Sequence, residues 1–485
     1  MPILDDLTTS GRTGLFIGGY WRPASDGETL DVLDPSTAEP IGQVASGSTD
    51  DAGEAVDAAA AAFPGWAASS PRERSEVLRR GFELMTAEAE DLAELIVLEM
   101  GKARGEAKAE ASYAAEFFRW YSGEALRNEG SLLRAPGGDK HIISIHQPVG
   151  VSVLVTPWNF PAAMATRKIG PAIAAGCTMV LKPASDTPLT ALAIADVLSR
   201  AGLPDGVLNV LPSARSSKVV GAMLADDRIR KLSFTGSTEV GRILLEQASA
   251  RVVNCSMELG GNAPFLVFGD ADIDAAVGGA MIAKMRNGGQ SCIAANRFYI
   301  HGSVAAEFSD KLSAAMAATR MGPGLDAGVD LGPLVNRAAQ NDMSEVVETS
   351  TGSGAKVLTG GHAPDRPGFF FEPTVLGGVE PGASILGQEI FGPIAPVVTF
   401  DTDDEAIRLA NDTIHGLASY LYTTDLSRAL RVSEALEAGM VGINRGLISD
   451  PAAPFGGVKQ SGLGREGGHD GMLEFLETKY IAADW

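Results

Sequence analysis

Strand-length apolar runs alternate with helical patterns along residues 147–261, and this alternation limits the possible folds more than any other feature of the sequence. The predicted strands are 151–156, 178–182, 207–211 and 231–234, and the predicted helices are 162–175, 188–201 and 239–248. Strands that alternate with helices form crossover units and a parallel sheet covered on both faces. We therefore predict an α/β chain with a Rossmann-like dinucleotide-binding domain.

Other segments flank this run. Residues 49–127 are predicted to be helical, and residues 258 to about 460 carry a second α/β pattern. Two strand-like runs between 129 and 147 surround a Pro-Gly-Gly turn, which is the pattern of a β-hairpin. The tail, 475–485, is predicted to be one more strand. Because the hairpin and the tail have open edges, we predict oligomerisation, as a homodimer or a homotetramer.

A chain of 485 residues is long enough for two or three domains. We assign residues 1–128 and 148–257 to a dinucleotide-binding domain and residues 258–466 to a catalytic α/β domain. Residues 129–147 and 467–485 are assigned to a β-hairpin oligomerisation element.

Composition excludes several classes of partner and site. A net charge of −22 repels nucleic acid and anionic membranes. The first ten residues lack the basic and apolar regions of a secretory signal, and no uncharged stretch is long enough to span a bilayer. The three cysteines have no C-x-x-C spacing, which excludes a disulfide scaffold and a zinc ribbon. We predict a cytoplasmic protein without a metal site.

A thiol and a carboxylate, each next to paired glycines, suggest catalysis. Cys292 ends the run Asn-Gly-Gly-Gln-Ser-Cys, and Glu258 begins Glu-Leu-Gly-Gly-Asn. A cysteine can act as a nucleophile and a carboxylate as a base for acyl chemistry at one carbon. The alternative for a cysteine is a small buried apolar residue, which we predict for Cys177 and Cys255. The alternative for Glu258 is a structural ion pair.

With the strand-turn-helix segment Thr-Pro-Trp-Asn-Phe-Pro at 156–161, the chain resembles the aldehyde dehydrogenase superfamily. The motifs follow the family's order through nearly the whole chain. The resemblance implies that Cys292 forms a thiohemiacetal and then a thioester, and that Asn159 donates a hydrogen bond to the oxyanion. Glu258 would activate the hydrolytic water. Lys168 and Glu466 match positions proposed to move protons, although a structural salt bridge would explain them equally well.

A dinucleotide site is predicted without a G-x-G-x-x-G motif. The segment 234–241 runs from a strand through Gly236 and Ser237 into a helix, where backbone N–H groups could hold a phosphate; ordinary turn chemistry is the alternative. Ser185 stands where NAD-preferring relatives usually have Glu, so NADP is expected to be preferred and NAD accepted. The full set of predicted cofactor contacts is Thr156, Pro157, Trp158, Asn159, Lys182, Ala184, Ser185, Gly236, Ser237, Leu259, Glu389 and Phe391.

Three residues narrow the substrate. Arg167, Arg286 and Ser449 match positions that hold the substrate carboxylate in succinate-semialdehyde dehydrogenases, and guanidinium groups bind carboxylates bidentately. Arg167 is placed on one helix with Asn159, and Phe455 is added as a substrate contact. The alternative is that each arginine forms a surface ion pair.

The expected reaction is oxidation of a small anionic aldehyde, succinate semialdehyde, to succinate. Glutarate semialdehyde is an alternative because Asp450 adds an acid beside the carboxylate site, and an uncharged aliphatic or aromatic aldehyde is another. Two alternatives belong to other functional classes, namely a cofactor-independent thiol esterase and a catalytically idle binding protein with the same fold.

Overall fold

The computed structural model describes residues 2–485, apart from the side chains of residues 2, 3, 5 and 6; the prediction about a secretory signal includes Met1, which lies outside the described residues. The helices are α1 Pro2–Thr9, α2 Thr49–Ala67, α3 Pro71–Ala87, α4 Ala89–Met100, α5 Arg104–Glu124, α6 Pro161–Ala175, α7 Leu189–Arg200, α8 Ser216–Ala225, α9 Thr238–Ser249, α10 Ile273–Met285, α11 Ala305–Ala317, α12 Arg337–Gly352, α13 Asp403–Asn411, α14 Leu426–Ala435 and α15 Asp470–Leu473.

The strands are β1 Leu15–Ile17, β2 Tyr20–Arg22, β3 Thr29–Asp34, β4 Glu39–Ala45, β5 Ser131–Arg134, β6 His141–Pro148, β7 Val151–Val155, β8 Thr178–Lys182, β9 Leu208–Val210, β10 Ile229–Thr235, β11 Asn254–Glu258, β12 Ala263–Val267, β13 Ala295–His301, β14 Lys356–Thr359, β15 Thr374–Gly377, β16 Ile394–Phe400, β17 Ala418–Tyr422, β18 Met440–Ile443, β19 Gly462–Leu463 and β20 Leu476–Ala483. Three short 3-10 helices occupy Arg286–Gly289, Ser384–Gly387 and Lys459–Ser461. None of the helices within residues 2–485 has the length and apolarity needed to cross a bilayer.

The first sheet has the order β19-β11-β10-β7-β8-β9-β1-β2, and its five central strands are parallel. Side chains alternate between its two faces. Val153 and Val180 pack in one apolar cluster with α2 and α8, whereas Leu154 and Leu181 pack in another with α6 and α7. Coverage on both faces explains why β7 and β8 are almost continuously apolar. The prediction of a doubly covered parallel sheet is confirmed.

The second sheet has the order β14-β15-β16-β13-β12-β17-β18 and is parallel except for β14. It also carries an apolar cluster on each face, with Phe265 and Phe298 in one and Leu266 and Tyr299 in the other. This arrangement corresponds to the second α/β pattern predicted from residue 258 onward.

A third sheet joins the predicted hairpin to the predicted tail strand. β5 and β6 pair antiparallel, and β20 pairs antiparallel with β6 along its whole length. Both predicted elements are therefore present. β6 lies between β5 and β20 and pairs with both. Only the outer edges of β5 and β20 are therefore unpaired within the described chain.

Several elements were not predicted. β1 and β2 extend the first sheet beyond β9, α8 stands between β9 and β10, and β11 carries Glu258 as its last residue. β1 and β2 have three residues each, too few for a period of two to be recognised in the sequence.

Candidate active site

A cavity of about 230 Å³ lies where the carboxyl ends of β7, β10 and β11 meet loops of the second α/β region. Ligands of open parallel sheets bind at this end of the strands. The predicted residues that line the cavity are Pro157, Trp158, Asn159, Arg167, Gly236, Ser237, Glu258, Leu259, Arg286, Cys292, Glu389, Phe391, Ser449 and Phe455. The structure thus brings together 14 residues selected from distant parts of the sequence.

A strained turn presents the candidate nucleophile. Asn287, Gly288 and Gly289 have φ values of 56°, 61° and 78°, all in the left-handed region. A Cβ at Gly289 would lie 2.1 Å from the carbonyl oxygen of Gly392, so only glycine fits there. The Asn287 side chain stabilises the turn, because its Nδ2 donates to the carbonyl oxygens of Asn159 (2.9 Å) and Gln290 (3.0 Å).

Cys292 is partly buried at the wall of the cavity. Burial raises the pKa of its thiol to about 12, and the positive charge of Arg167 opposes this shift. In the protein without ligands the sulfur is therefore a neutral thiol near pH 7. Cys177 is fully buried, as predicted, but the prediction for Cys255 is wrong, since its side chain on β11 is only partly buried.

Asn159 lies in the loop before α6, not on the helix. Since α6 begins at Pro161, the prediction that Asn159 and Arg167 share a helix is wrong; Pro at the first helical position sets the boundary. The Asn159 amide donates one hydrogen bond to the carbonyl oxygen of Gln290 at 3.1 Å, and Lys102 Nζ donates to the Asn159 carbonyl oxygen at 2.8 Å. One N–H of the amide remains available to an oxyanion.

Glu258 ends β11 beside the cavity, and its buried Oε2 has no hydrogen-bond partner among the described residues. Burial, together with the negative charge of Glu466, raises the pKa of Glu258 well above its ordinary value. A buried carboxyl group that lacks a partner and has a raised pKa is suited to accept and release protons. The structural ion pair considered as the alternative for Glu258 is not present within residues 2–485.

Glu466 carries the ion pairs that Glu258 lacks. Its Oε2 lies 2.6 Å from Arg167 Nε, and its Oε1 accepts a short hydrogen bond from Lys168 Nζ. Burial opposes ionisation, yet the two cations lower the pKa of Glu466. Burial also lowers the pKa of Lys168, against the effect of Glu466. Lys168 and Glu466 lie behind the cavity wall, so both the structural salt bridge and a role in proton movement are compatible with their positions.

The candidate carboxylate-binding residues converge on one side of the cavity. The Arg167 guanidinium is 1% exposed and stacks over Phe455 at 4.2 Å, so a surface ion pair does not describe it. Arg286 stacks over Phe160 at 4.6 Å, and no ion pair involves it within the described part of the chain. Ser449 lines the same wall. No carboxylate among the described residues forms an ion pair with Arg286, so the positive charge of Arg286 in the cavity is not neutralised by a side chain.

The opposite side of the cavity fits a dinucleotide. Ser237 is the N-cap of α9 and accepts from Val240 N at 3.3 Å, so its hydroxyl hydrogen is free to donate towards a phosphate. Trp158 and Phe391 face each other edge to face at 5.4 Å. Burial raises the pKa of Glu389 to about 7, although Gly261 N donates to its Oε1 at 3.0 Å. Aromatic walls, a helix N-terminus and a carboxyl group match the ring, phosphate and ribose of a nicotinamide dinucleotide.

The remaining predicted cofactor residues lie one strand further along the same edge. Thr156 follows β7 and donates its N–H to the carbonyl oxygen of Lys182, which ends β8. Ala184 and Ser185 follow in the next loop, where Ser185 Oγ donates to the Ser213 carbonyl oxygen at 3.0 Å. Burial lowers the pKa of Lys182 to about 8. This group borders the cavity without lining it.

Sequence reasoning missed seven lining residues, which are Tyr113, Phe160, Met164, Thr235, Gly260, Ser291 and Ile293. Most are neighbours of predicted residues and could have been found by extending each motif. Tyr113 is different because it lies on α5, far from every motif, and nothing in its local sequence distinguishes it from a core aromatic residue.

Comparisons with known proteins agree with this geometry. The sequence model of the aldehyde dehydrogenase family matches residues 21–481. A succinate-semialdehyde dehydrogenase of Paenarthrobacter nicotinovorans is 55% identical over 91% of this chain and 98% of its own. A glutarate-semialdehyde dehydrogenase of Pseudomonas putida is 50% identical over 97% of both chains. The crystal structure of an NADP-dependent enzyme of E. coli matches with a TM-score of 0.97 and 48% identity over 99% of both chains.

Proposed function

The chain belongs to the aldehyde dehydrogenase family, and we propose that it oxidises succinate semialdehyde to succinate with NADP, accepting NAD as well. The predicted family and α/β fold class are confirmed by the matches over nearly the whole chain. Enzyme class follows directly from the family, which makes the protein an NAD(P)-dependent aldehyde dehydrogenase. The esterase alternative has no support from any relative named above.

One observation carries the choice of substrate. Arg286 contributes an unpaired cation, and Arg167 a buried one, to the cavity that also contains Cys292. A guanidinium without a carboxylate partner in a partly apolar cavity attracts an anionic ligand, and its planar donors fit a carboxylate. An uncharged aldehyde would leave Arg286 without a carboxylate partner, so the site favours an aldehyde with a carboxylate at its other end.

The first half of the reaction uses Cys292 and Asn159. The Cys292 thiol releases its proton to solvent, and the thiolate sulfur bonds to the aldehyde carbon while the carbonyl π electrons move to oxygen, which gives a tetrahedral thiohemiacetal with an oxyanion. The free N–H of Asn159 and the backbone N–H of Cys292 stabilise this oxyanion, and one such donor typically lowers the barrier by about 3 kcal/mol. The bound nicotinamide coenzyme supplies the acceptor for the hydride that leaves this carbon. A thioester on Cys292 remains.

The second half uses Glu258. Its carboxylate takes a proton from a water molecule, and the resulting hydroxide adds to the thioester carbon and displaces the sulfur, which releases succinate. Glu258 then holds a proton that must leave before the next turnover. Glu466 and Lys168, which lie behind it, are proposed to pass that proton on; their mutual salt bridge stabilises the site in either case.

We further propose the domain boundaries given by the sequence, with the third sheet as the oligomerisation element. On the outer strands β5 and β20, the exposed fractions of Leu132, Leu133 and Tyr480 are 63%, 47% and 55%. Contact of these apolar side chains with water is unfavourable, and a second copy of the chain would cover them. Sheet edges with exposed apolar side chains pair readily with a second copy. The expected state is a homodimer or homotetramer in the cytoplasm, and light scattering after size-exclusion chromatography measures it.

Steady-state kinetics with the purified protein test the proposed function. NADP and NAD are each combined with succinate semialdehyde, glutarate semialdehyde and butanal, an uncharged aldehyde of four carbons. The expected order of kcat/KM places succinate semialdehyde first, and NADP above NAD. Equal turnover of butanal would refute the carboxylate site, while ester hydrolysis without coenzyme would favour the thiol esterase.

Glutarate semialdehyde is a second candidate because of the Pseudomonas putida relative. Asp450, next to Ser449, adds a negative charge near the proposed carboxylate site. A higher kcat/KM for glutarate semialdehyde than for succinate semialdehyde in the same experiment would select this candidate and leave the carboxylate site intact.

A further inference from the structure

Tyr113 lines the cavity beside all three residues of the proposed carboxylate site, although it lies on α5, far from them in sequence. Its phenol faces the cavity with Ser449 and Arg167, and both side chains act to lower its pKa. The guanidinium carbon of Arg286 lies 6.0 Å from the centre of its ring. Tyr113 thus lines the same cavity as Arg167, Arg286 and Ser449.

The ring of Tyr113 is held in place from behind. Phe117, one turn further along α5, meets it edge to face at 4.9 Å, and this orientation fixes the direction of the hydroxyl group. Burial raises the pKa of the Tyr113 phenol, against the effects of the two arginines. The phenol therefore keeps its proton near pH 7 and acts as a donor, which an anionic ligand requires.

Tyr420 shows what a purely structural tyrosine in the same region looks like. Its hydroxyl donates to the carbonyl oxygen of Ile293 at 2.8 Å, a fixed backbone partner next to Cys292. No backbone hydrogen bond holds the Tyr113 hydroxyl within the described residues, and Ser449 and Arg167, which influence it, both line the cavity. A hydroxyl without a backbone partner can donate its hydrogen to a ligand without leaving a backbone group unpaired.

We propose that Tyr113 is a fourth residue of the carboxylate site, whose hydroxyl donates to the ω-carboxylate of the substrate and holds Ser449 and Arg167 towards it. This inference rests on the proposed function, because it assumes that a carboxylate binds between Arg167 and Arg286. A neutral hydroxyl adds a donor without adding a third positive charge to the site. The two arginines select a carboxylate by charge, and the Tyr113 hydroxyl adds selection by the geometry of its hydrogen bond.

Tyr113→Phe tests the proposal, because it removes only the hydroxyl oxygen and keeps the ring that Phe117 and Arg286 contact. We expect KM for succinate semialdehyde to rise about 10-fold, since a hydrogen bond to a charged group is lost. The ratio of kcat/KM between succinate semialdehyde and butanal should fall by the same factor. Tyr20→Phe, at a tyrosine 71% exposed and outside the cavity, is the matched control and should leave this ratio unchanged.

Succinate binding, measured by calorimetry without turnover, gives a second readout. Its dissociation constant should also rise about 10-fold in Tyr113→Phe and stay constant in Tyr20→Phe. Combining Tyr113→Phe with Ser449→Ala should cost less than the sum of the two changes, since both hydroxyls are proposed to bind the same carboxylate.

The outcomes separate the inference from the proposed function. If the unmodified enzyme does not prefer succinate semialdehyde over butanal, the proposed function fails. If it has that preference and Tyr113→Phe keeps the same ratio and the same succinate affinity, the inference about Tyr113 is overturned. Equal losses for both aldehydes, with a lower midpoint of urea unfolding, would assign Tyr113 a structural role and also overturn it.

Discussion

Arg167 Nε lies 2.6 Å from Glu466 Oε2, across 299 positions of sequence, and the same carboxylate binds Lys168 through its other oxygen. Glu466 therefore connects the proposed carboxylate site to the cation beside it, while its charge raises the pKa of Glu258. Glu466 thus interacts both with Arg167, which is proposed to bind the substrate, and with Glu258, the proposed base.

Glu466→Gln should destabilise the protein and also change its pH dependence. Two buried cations lose their partner, which typically costs about 3 kcal/mol in the free energy of unfolding. The negative charge that raises the pKa of Glu258 is also removed, so that pKa should fall and the rising limb of the kcat–pH profile should move to lower pH. Urea unfolding and a pH series measure the two effects. Exposed Glu246, changed to Gln, is the control; a limb that does not move would contradict the coupling.

Glu258→Gln should separate the two halves of the reaction. Without a base the thioester persists, so one equivalent of reduced coenzyme should form in a burst and steady turnover should fall by about 100-fold or more. In the unmodified enzyme hydrolysis should rise with pH, because the raised pKa of Glu258 leaves little carboxylate at low pH. Stopped-flow absorbance and mass spectrometry of the acylated protein test this. Loss of the burst as well would show that Glu258 acts before the thioester forms.

Cys292→Ser should lower aldehyde oxidation by at least about 10³-fold, since a serine hydroxyl is a far weaker nucleophile at this position than a thiol. Cys255→Ala provides the matched control, because this thiol lies on β11 away from the lining residues. Coenzyme reduction with succinate semialdehyde measures both variants. Full activity in Cys292→Ser would remove the covalent mechanism, and the control should retain activity within twofold.

Asn287 offers a pair of substitutions that distinguish backbone strain from hydrogen bonding. Both Asn287→Gly and Asn287→Ala lose the donor that contacts Asn159 and Gln290, so both should lower kcat. Both variants must adopt φ of 56°, but only alanine has a Cβ that makes this conformation unfavourable, so it should be less stable than the glycine variant by about 1 kcal/mol. Urea unfolding compares them. Equal stabilities would mean that the turn relaxes when its side-chain hydrogen bonds are removed.

Ser185→Glu should reverse the coenzyme preference. A carboxylate in this loop would repel a 2′-phosphate and accept a hydrogen bond from a 2′-hydroxyl, as in other dinucleotide folds. The kcat/KM for NADP should fall about 10-fold or more, with a smaller change for NAD. Ser185→Gln has nearly the same shape without the charge and serves as the control. If both variants lose NADP activity equally, the effect is steric and not electrostatic.

The sequence predicted most of the elements around the cavity because their signals are local. The strand β7, the helix α6 and the strand β8 follow from runs of apolar residues and a proline at the first helical position. Glycine pairs identified the turns near Glu258 and Cys292, since close backbone contacts such as that of Gly289 with Gly392 exclude a side chain. Errors occurred where a boundary depended on one residue, as with Asn159, or where strands were too short, as with β1 and β2.

By itself, the sequence determined which elements form and which reactive side chains lie at the ends of parallel strands, because hydrophobic periodicity and turn chemistry act over neighbouring residues. Only the tertiary structure decided that Glu466 pairs with Arg167 and Lys168 while Glu258 stays unpaired, and that Tyr113 lines the same cavity as Ser449. Contacts between distant residues, and the burial that shifts a pKa, depend on how the packed layers exclude water, a property that no short segment contains.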